Sequence, residues 1–262
     1  MSDIQVMGIV NITPDSFSDG GQFLDVDKAL RHSESLIQAG ATILDIGAQS
    51  TRPGSTWISP NEEIERLSPI LERYRSYFSI PLSLDTVNAS TALFGIQHGV
   101  TMINDISAGT HDPQMMSVAA QHQIPMILMH MQGIPKTMQD NPTYQDVVHE
   151  VYTFLENQVQ KAKKMGVPSV VVDPGIGFGK TAAHTITLLN QLHVFTPLAP
   201  VLVGPSRKSF LATLTGQSDP YRLEGTIASC IWSLYQGATW FRVHDVEAVA
   251  RALHVACALR KG

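Results

Sequence analysis

Apolar residues follow two alternating patterns along this chain. Short, nearly continuous apolar runs are separated by longer stretches in which apolar positions recur every three to four residues. The short runs are typical of buried strands, and the longer stretches are typical of amphipathic helices. The predicted strands cover residues 4–11, 42–46, 81–85, 101–105, 125–130, 170–173, 200–204 and 239–244.

Capping signals mark the starts of several predicted helices. We expect Asp25 or Asp27 to cap the first helix and Asn88 to cap the third. The segment Ser59-Pro-Asn-Glu62 resembles a capping box with proline at the first helical position. The predicted helices cover about 26–39, 60–78, 89–98, 113–122, 144–165, 184–192, 221–235 and 245–259, and a further helical segment opens at 206–209.

Strands that alternate with helices form parallel sheets, because each helix carries the chain back across the sheet. Eight such units occur in 262 residues, without a linker or a change in composition. This order predicts an α/β protein, a TIM (β/α)8 barrel in which residues 1–262 form a single domain. An open, doubly wound sheet is the alternative.

Composition and charge exclude several classes of protein. The formal net charge is -5 and there is no basic stripe, which argues against a nucleic acid or an anionic membrane as a partner. No apolar run is long enough to span a bilayer, and the N-terminus lacks the features of a signal peptide. The two cysteines suggest neither a disulfide framework nor a metal site. We expect a soluble, cytoplasmic protein.

Polar residues stand at the ends of nearly all the predicted strands. A single Asp or Asn at such a position is usually a helix cap, and a single histidine such as His130 can be a satisfied strand-end residue. A whole set is harder to explain in that way, because the strand ends of a TIM barrel converge on the face that carries active sites. The set comprises Asn11, Asp45, Asp85, Asn104, His130, Asp173, Ser206 to Lys208, Arg242 and His244.

These residues divide by charge. Asp85, Asn104 and Asp173 offer acceptors that suit a heterocycle rich in N–H donors. The cationic residues are brought by the last two strands, and TIM barrels frequently bind phosphate with the loops after those strands. They are Arg207, Lys208, Arg242 and His244, the last two being two residues apart and therefore on one side of the strand. The predicted ligand has a polar ring at one end and a phosphorylated group at the other.

Other chemistries fit the sequence less well. The glycine-rich stretch from Gly175 to Lys180 matches neither a P-loop nor the dinucleotide-binding fingerprint. The sequence contains no nucleophile elbow and no Cys/His metal cluster. Asn11, with Asp15 and Asp19 nearby, could hold Mg²⁺ against phosphate oxygens, since this ion takes few protein ligands.

Over essentially its whole length the chain resembles the dihydropteroate synthases, a family of folate-pathway enzymes. The resemblance rests on eight motifs. They are 7–21 (MGIVNITPDSFSDGG), 50–54 (STRPG), 83–86 (SLDT), 104–105 (ND), 129–133 (MHMQG), 173–180 (DPGIGFGK), 206–208 (SRK) and 242–245 (RVHD).

This resemblance implies a transferase that condenses p-aminobenzoate with (7,8-dihydropterin-6-yl)methyl diphosphate and releases pyrophosphate. It implies that the pterin is held by Asp85, Asn104, Asp173 and Lys208. The diphosphate would be bound by Asn11, Arg52, Arg242 and His244, with Mg²⁺ at Asn11. The p-aminobenzoate region would be formed by Thr51, Ser209, Phe17 and Pro53. Lys208, Arg242, His244 and Asp85 would be the catalytic set.

The family is the target of sulfonamides, which mimic p-aminobenzoate, and it commonly forms homodimers. The resemblance therefore also implies a sulfonamide target and a homodimer. This chain has Ala48-Gln49 where the family usually has Gly-Glu, which calls into question how the second loop is anchored. A pterin-binding methyltransferase would share the acceptors but has no diphosphate to bind. A non-catalytic pterin-binding paralogue is the other alternative.

Overall fold

The computed structural model of the chain describes residues 4–12, 22–216 and 222–261. Asp15, Phe17 and Asp19 therefore lie outside the described residues. Eight strands are present in these ranges. They are β1 (Gln5–Asn11), β2 (Ile43–Gly47), β3 (Leu82–Asp85), β4 (Met102–Asp105), β5 (Met126–Met129), β6 (Val170–Asp173), β7 (Leu202–Val203) and β8 (Trp240–Val243).

The strands form one parallel barrel. Consecutive strands from β1 to β6 pair with each other, while β8 pairs with both β1 and β7. A parallel bridge between Val172 and Val201 connects the remaining edges, and Val172 N donates to Pro200 O at 3.0 Å. The predicted TIM barrel is confirmed and the open sheet is wrong. The seventh strand is shorter than predicted because Pro200 and Pro205 bound it and lack the N–H that a ladder requires.

The described part of the chain contains nine α-helices. They are α1 (Gln22–Gln38), α2 (Pro60–Tyr77), α3 (Ala89–Gln97), α4 (Met115–Gln121), α5 (Val147–Met165), α6 (Ala182–Asn190), α7 (Ser209–Thr215), α8 (Leu223–Tyr235) and α9 (Val246–Lys261). A short 3-10 helix, Leu192–Phe195, was not predicted. Within these ranges, no helix is both long and apolar enough to cross a membrane.

The expected caps were only partly correct. The prediction for α1 was wrong, because the helix begins at Gln22 and both Asp25 and Asp27 lie inside it. Ser59 does cap α2, accepting from Glu62 N at 3.2 Å. Asn88 occupies the cap position of α3 without a capping bond, because its side chain is directed to Glu63 instead.

Two apolar layers fill the molecule. One lies between the strands and the surrounding helices. The other plugs the lower part of the barrel, so that a ligand can approach the polar strand ends only from the C-terminal mouth. The plug consists of Met7, Ile43, Met102, Ile127, Val171 and Leu202, with Trp240 packed against it.

Candidate active site

Arg242 connects three strands at the barrel mouth. Its Nε donates to Asp45 Oδ2 at 2.6 Å, and its Nη2 donates to Asp85 Oδ2 at 2.8 Å. Asn104 Nδ2 also donates to Asp45 Oδ2, at 3.1 Å. Arg242 thus lies among the acceptors, whereas the sequence suggested that it belongs to a separate cationic end.

Both carboxylates that pair with Arg242 are buried. Asp45 is fully buried, and its Oδ1 has no hydrogen-bond partner among the residues that the structure describes. Burial raises the pKa of Asp85 to about 7, against the opposing effect of Arg242 and with the help of nearby Asp45. Because two buried carboxylates share one guanidinium, the protonation of Asp85 depends on Asp45 and Arg242.

Asp173 ends β6 beside this group. Its Oδ1 accepts from Gly175 N at 2.7 Å, which fixes the direction of the carboxylate. Burial raises the pKa of Asp173, while the charges of Lys208, Lys180 and Arg242 lower it. Three cations therefore act electrostatically on this buried strand-end carboxylate.

Lys208 reaches into the mouth from the cap position of α7. Its Nζ donates to Ile176 O and lies 4.6 Å from the centroid of the Phe178 ring. Burial lowers the pKa of Lys208 to about 8, although Asp173 opposes this effect. Lys208 is thus held on the loop after β6, opposite Asp173.

An apolar wall borders the polar strand ends. Three of its residues are buried and three are half-buried, and they come from the ends of neighbouring strands and from the loops above them. The wall consists of Val87, Ile106 and Met129, packed with Trp57, Met131 and Phe178. An apolar surface beside buried hydrogen-bonding groups suits a polar aromatic ring.

His244 is held by Ser206. The backbone N–H of His244 donates to Ser206 Oγ at 3.2 Å, and this Oγ lies 3.0 Å from His244 Nδ1. Because Oγ accepts from the backbone, its own proton is available for Nδ1, which leaves the ring proton on Nε2. Burial lowers the pKa of His244 to about 4, and the charges of Arg207, Arg242 and Arg52 act in the same direction.

Arg207 belongs to a structural clamp. Its guanidinium donates to both carboxylate oxygens of Asp245, at 2.6 and 3.2 Å. Its backbone has a positive φ of 60°, and its carbonyl accepts from Arg222 Nη1 at 2.7 Å. The four cationic residues at the ends of β7 and β8 thus have separate partners, and Arg207 joins the loops after β7 and β8.

The loop after β2 is anchored in spite of its unusual sequence. Gln49 is buried, and its Oε1 accepts from Ile58 N at 3.0 Å. The amide therefore provides an acceptor for this loop, and Ala48 O accepts from Arg66 Nη1 at 3.0 Å. Gly54 N donates to Pro135 O at 3.0 Å, which connects the loop to the one after β5.

The remaining expected residues lie around this mouth. Thr51 is half-buried, whereas Arg52, Pro53 and Ser209 are exposed. Asn11 is half-buried at the end of β1, opposite Gly47 of β2. No group of three His, Cys, Asp or Glu side chains with metal-binding geometry occurs within residues 4–12, 22–216 and 222–261.

Sequence reasoning left three buried residues without a role. Asp45 was visible as a strand-end carboxylate, but not as the partner of Arg242. Glu63 lies fully buried in α2 and accepts from Thr86 Oγ1 at 3.0 Å and Asn88 Nδ2 at 2.9 Å. No local sequence pattern indicated that Glu63 is buried, because an acidic residue in the first turn of a helix is usually exposed. Lys180, the third, contacts His130.

Known proteins resemble this chain in sequence and in structure. The family described as pterin binding enzyme matches residues 7–244. A dihydropteroate synthase from Synechocystis sp. is 48% identical over 258 residues, covering 97% of this chain and 89% of that protein.

Two solved structures show the same likeness. A Xanthomonas albilineans dihydropteroate synthase with 4-aminobenzoic acid is 41% identical, with a TM-score of 0.91 and coverage of 98% and 93% of the two chains. A Yersinia pestis dihydropteroate synthase in a sulfonamide drug complex is 39% identical, with a TM-score of 0.92 and coverage of 100% and 96%. The chain therefore belongs to the pterin-binding enzymes and, within them, to the dihydropteroate synthases, which are transferases.

Proposed function

We propose that the pterin ring of the diphosphate substrate binds between the apolar wall and the acceptors Asp85, Asn104 and Asp173. The observation that carries this proposal is the burial of all three polar side chains next to a wall that contains Met129 and Phe178. Buried acceptors need partners, and the N–H groups of an aminopyrimidine ring supply them.

Lys208 complements these acceptors. With a pKa of about 8 it is mainly charged at neutral pH, and its position over Phe178 brings it to the edge of the proposed ring site. An ammonium group can donate to a ring nitrogen or carbonyl oxygen of the pterin. Lys208 would thus orient the ring from the side opposite the carboxylates.

The diphosphate would lie towards β8. His244 presents Nε2–H there, and the exposed Arg52 is near enough to influence the pKa of His244. Arg242 Nη1 takes part in neither of the bonds to Asp45 and Asp85, so it is available to the substrate. An anion would also favour the protonated form of His244, because opposite charges stabilise each other at close range.

The reaction then requires mainly positioning and electrostatics. The amine nitrogen of p-aminobenzoate attacks the methylene carbon, the C–O bond to the diphosphate breaks, pyrophosphate leaves with the electron pair, and the amine loses a proton. Lys208, Arg242 and His244 would neutralise charge around the leaving group. Asp85 would lie next to the pterin, where positive charge develops. Groups already in place for these charges lower the barrier without a covalent nucleophile.

Mg²⁺ fits this arrangement as an ion shared with the substrate. Asn11 offers one amide oxygen, and Mg²⁺ usually takes one or two protein ligands together with phosphate oxygens and water. When bound, the ion would supply charge neutralisation for the diphosphate. Asn11 would hold it at the end of β1.

The p-aminobenzoate site would be completed by the loops after β1 and β2. Thr51, Pro53 and Ser209 would contact this substrate, together with Phe17. Support comes from the Xanthomonas relative with 4-aminobenzoic acid and from the Yersinia relative with a sulfonamide drug. Sulfonamides would occupy the same site and inhibit the enzyme.

The enzyme is also proposed to act as a cytosolic homodimer. Trp232 and Tyr235 are exposed at the end of α8, and Val255 and Leu259 are exposed on α9. Arg260 Nη1 donates to Leu234 O at 3.4 Å, which brings the ends of the two helices together. Exposed apolar patches of this kind mark interaction surfaces. Sedimentation should show a dimer that Leu259→Glu weakens, and cell fractionation tests the location.

One binding experiment tests the assignment of the two ends. Pterin, pyrophosphate and the intact substrate are titrated into Asp173→Asn and His244→Ala, with Glu247→Gln on the exposed face of α9 as a control. Charge-assisted hydrogen bonds contribute roughly 1.5–3 kcal/mol. Asp173→Asn should therefore weaken pterin and substrate at least about tenfold. His244→Ala should weaken pyrophosphate and spare pterin.

Product formation provides the second readout. Wild-type enzyme incubated with both substrates and Mg²⁺ should yield 7,8-dihydropteroate.

Unchanged pterin binding by Asp173→Asn would refute the proposed ring site. Equal loss of pterin and pyrophosphate in His244→Ala would refute the separation of the two ends.

A further inference from the structure

Glu63 is a buried carboxylate that the proposed chemistry does not use. It lies in the first turn of α2 and is fully buried. Its Oε2 accepts from Thr86 Oγ1 at 3.0 Å and from Asn88 Nδ2 at 2.9 Å. Because buried polar groups require partners, these two bonds fix both donors relative to α2.

The two donors belong to the turn between β3 and α3, and they are also bonded to each other. Asn88 N donates to Thr86 Oγ1 at 3.1 Å, so this hydroxyl accepts one hydrogen bond and donates another. Thr86 N donates to Asn104 O at 3.1 Å, which joins the turn to β4. The turn is thus held by β4 on one side and by Glu63 of α2 on the other.

Asn88 makes this contact in place of a local one. It occupies the cap position of α3 with an extended backbone, yet its side chain makes no capping bond. Ala89 N donates instead to Asp112 Oδ2 at 2.9 Å, from the loop after β4. Asparagine is among the most favourable N-cap residues, but here another loop supports the start of the helix, and Asn88 is directed to Glu63.

The same turn carries two contacts of the proposed ring site. Asp85 ends β3 and is one of the buried acceptors, and Val87 belongs to the apolar wall. Thr86 and Asn88 alternate with these residues along the chain and bond to Glu63. Residues of the ring site therefore alternate with residues that are anchored to α2, and moving the anchored residues would move both ring contacts.

We infer that Glu63 is a positioning residue for pterin recognition. It acts through Thr86 and Asn88 and has no contact with the substrate. The two bonds fix where Asp85 presents its carboxylate and where Val87 meets the ring. The inference rests on the proposed binding of pterin between the acceptors and the apolar wall. It requires a hydrogen-bond acceptor at Glu63, whatever the charge of that acceptor.

The test is a calorimetric titration of pterin and of pyrophosphate at one fixed pH. The wild type is compared with Glu63→Met, which keeps the length of the side chain and removes the acceptor. Loss of two hydrogen bonds weakens the anchored conformation by about tenfold or more. Affinity falls with the fraction of molecules in the competent conformation, so the Kd for pterin should rise at least about tenfold. Binding of pyrophosphate should be unchanged.

Two controls separate positioning from general loss of stability. Both bonds go to Oε2, while Oε1 has no partner among the described residues, so the amide oxygen of Glu63→Gln can accept both bonds. This variant should bind pterin as the wild type does. Leu67→Ala leaves a cavity one turn further along α2, which lowers stability without removing the acceptor. It should also keep the wild-type affinity for pterin under conditions in which it is folded.

Asn88→Leu tests the same network from the side of the turn, and it serves if Glu63→Met does not fold. It removes one donor and should weaken pterin binding while sparing pyrophosphate. The double variant should lose little more than Glu63→Met alone, because residues of one hydrogen-bond network are not additive.

Three results would overturn the inference. The first is wild-type pterin affinity in folded Glu63→Met and Asn88→Leu. The second is an equal loss of pterin and pyrophosphate in these variants. The third is a loss of pterin in Leu67→Ala or Glu63→Gln as large as that in Glu63→Met.

The Asp173→Asn titration keeps these outcomes distinct from failure of the proposed function. If Asp173→Asn binds pterin as well as the wild type does, the proposed ring site itself is wrong. If Asp173→Asn loses pterin and the variants of Glu63 and Asn88 do not, the role of Glu63 alone is wrong.

Discussion

Nη2 of Arg242 donates a 2.8 Å hydrogen bond to Oδ2 of Asp85, joining the end of β8 to the end of β3 across the barrel mouth. Arg242 also pairs with the fully buried Asp45.

Removing one partner of a buried ion pair leaves uncompensated charge and typically costs about 3–5 kcal/mol. Arg242→Ala should lower the free energy of unfolding by about this amount. Urea unfolding measures it, with the exposed pair Arg251–Glu247 as control. Arg251→Ala should change stability by less than about 1 kcal/mol, and equal effects of the two variants would contradict the prediction.

The pH dependence of stability should depend on Asp85. Its pKa of about 7 in the folded protein exceeds the ordinary value of 3.8, so the folded state binds this proton more tightly than the unfolded state. Stability therefore falls as the pH rises from about 4 to about 7. Asp85→Asn should remove this part of the slope. Unfolding free energies at several pH values check the prediction, and a variant whose stability falls as steeply as that of the wild type between about pH 4 and about pH 7 would contradict it.

Gln49 should be needed for p-aminobenzoate binding even though it is remote from the pterin contacts. Its Oε1 accepts from Ile58 N and so anchors the loop that carries Thr51 and Pro53. A neutral hydrogen bond contributes about 0.5–1.5 kcal/mol. Gln49→Ala should therefore raise the KM for p-aminobenzoate by about two- to tenfold, with little effect on pterin. Gln49→Glu keeps the acceptor and should behave like the wild type. An unaltered KM in Gln49→Ala would show that the loop does not require this bond.

Removal of divalent metal should depress turnover strongly. If Asn11 holds Mg²⁺ on the diphosphate, excess chelator should abolish most activity and added Mg²⁺ should restore it. Asn11→Ala should require more Mg²⁺ for half-maximal activity, at least about tenfold if it loses an interaction of 1.4 kcal/mol. Asn141→Ala, at an exposed position, is the matched control. Full turnover in excess chelator rules out the role.

The substrates should bind in order. The p-aminobenzoate site is proposed to depend on loops that close over bound diphosphate, so the first ligand organises the site for the second. Calorimetry should show weak binding of p-aminobenzoate or a sulfonamide to the ligand-free enzyme and much tighter binding when pyrophosphate is present. Identical affinities in the two conditions would exclude this order.

The fold could be predicted because its signals are local. An apolar run such as Val170–Val172, ended by Asp173 and a proline, defines a strand from its own residues. Eight of these runs with intervening helices leave few arrangements. The start of α1 was misplaced because Asp25 and Asp27 resemble caps, although the helix begins three residues before Asp25 at Gln22.

The internal arrangement of the site could be predicted less well. The strand-end position of Arg242 was evident, but its partner Asp45 is 197 residues away in the chain. No feature of the local sequence indicates which carboxylate a long, flexible side chain will pair with. The same holds for Lys180, whose neighbours become apparent only when the loops after β5 and β6 meet.

Close contact between these two loops has a consequence for how the mouth can diversify. An added side chain at Gly175 or Gly179 would collide with the backbone of the neighbouring loop, so neither position tolerates a single replacement without a matching shift of the other loop. Around Gly54, in the loop after β2, an added Cβ would meet no atom within 4 Å, and only the positive φ of 84° disfavours a side chain there. Gly175 and Gly179 are therefore constrained both by the neighbouring backbone and by their own positive φ, whereas Gly54 is constrained by its φ alone. If the loop after β6 holds the pterin as proposed, the heterocycle that the mouth accepts can change only through coordinated replacements in the loops after β5 and β6.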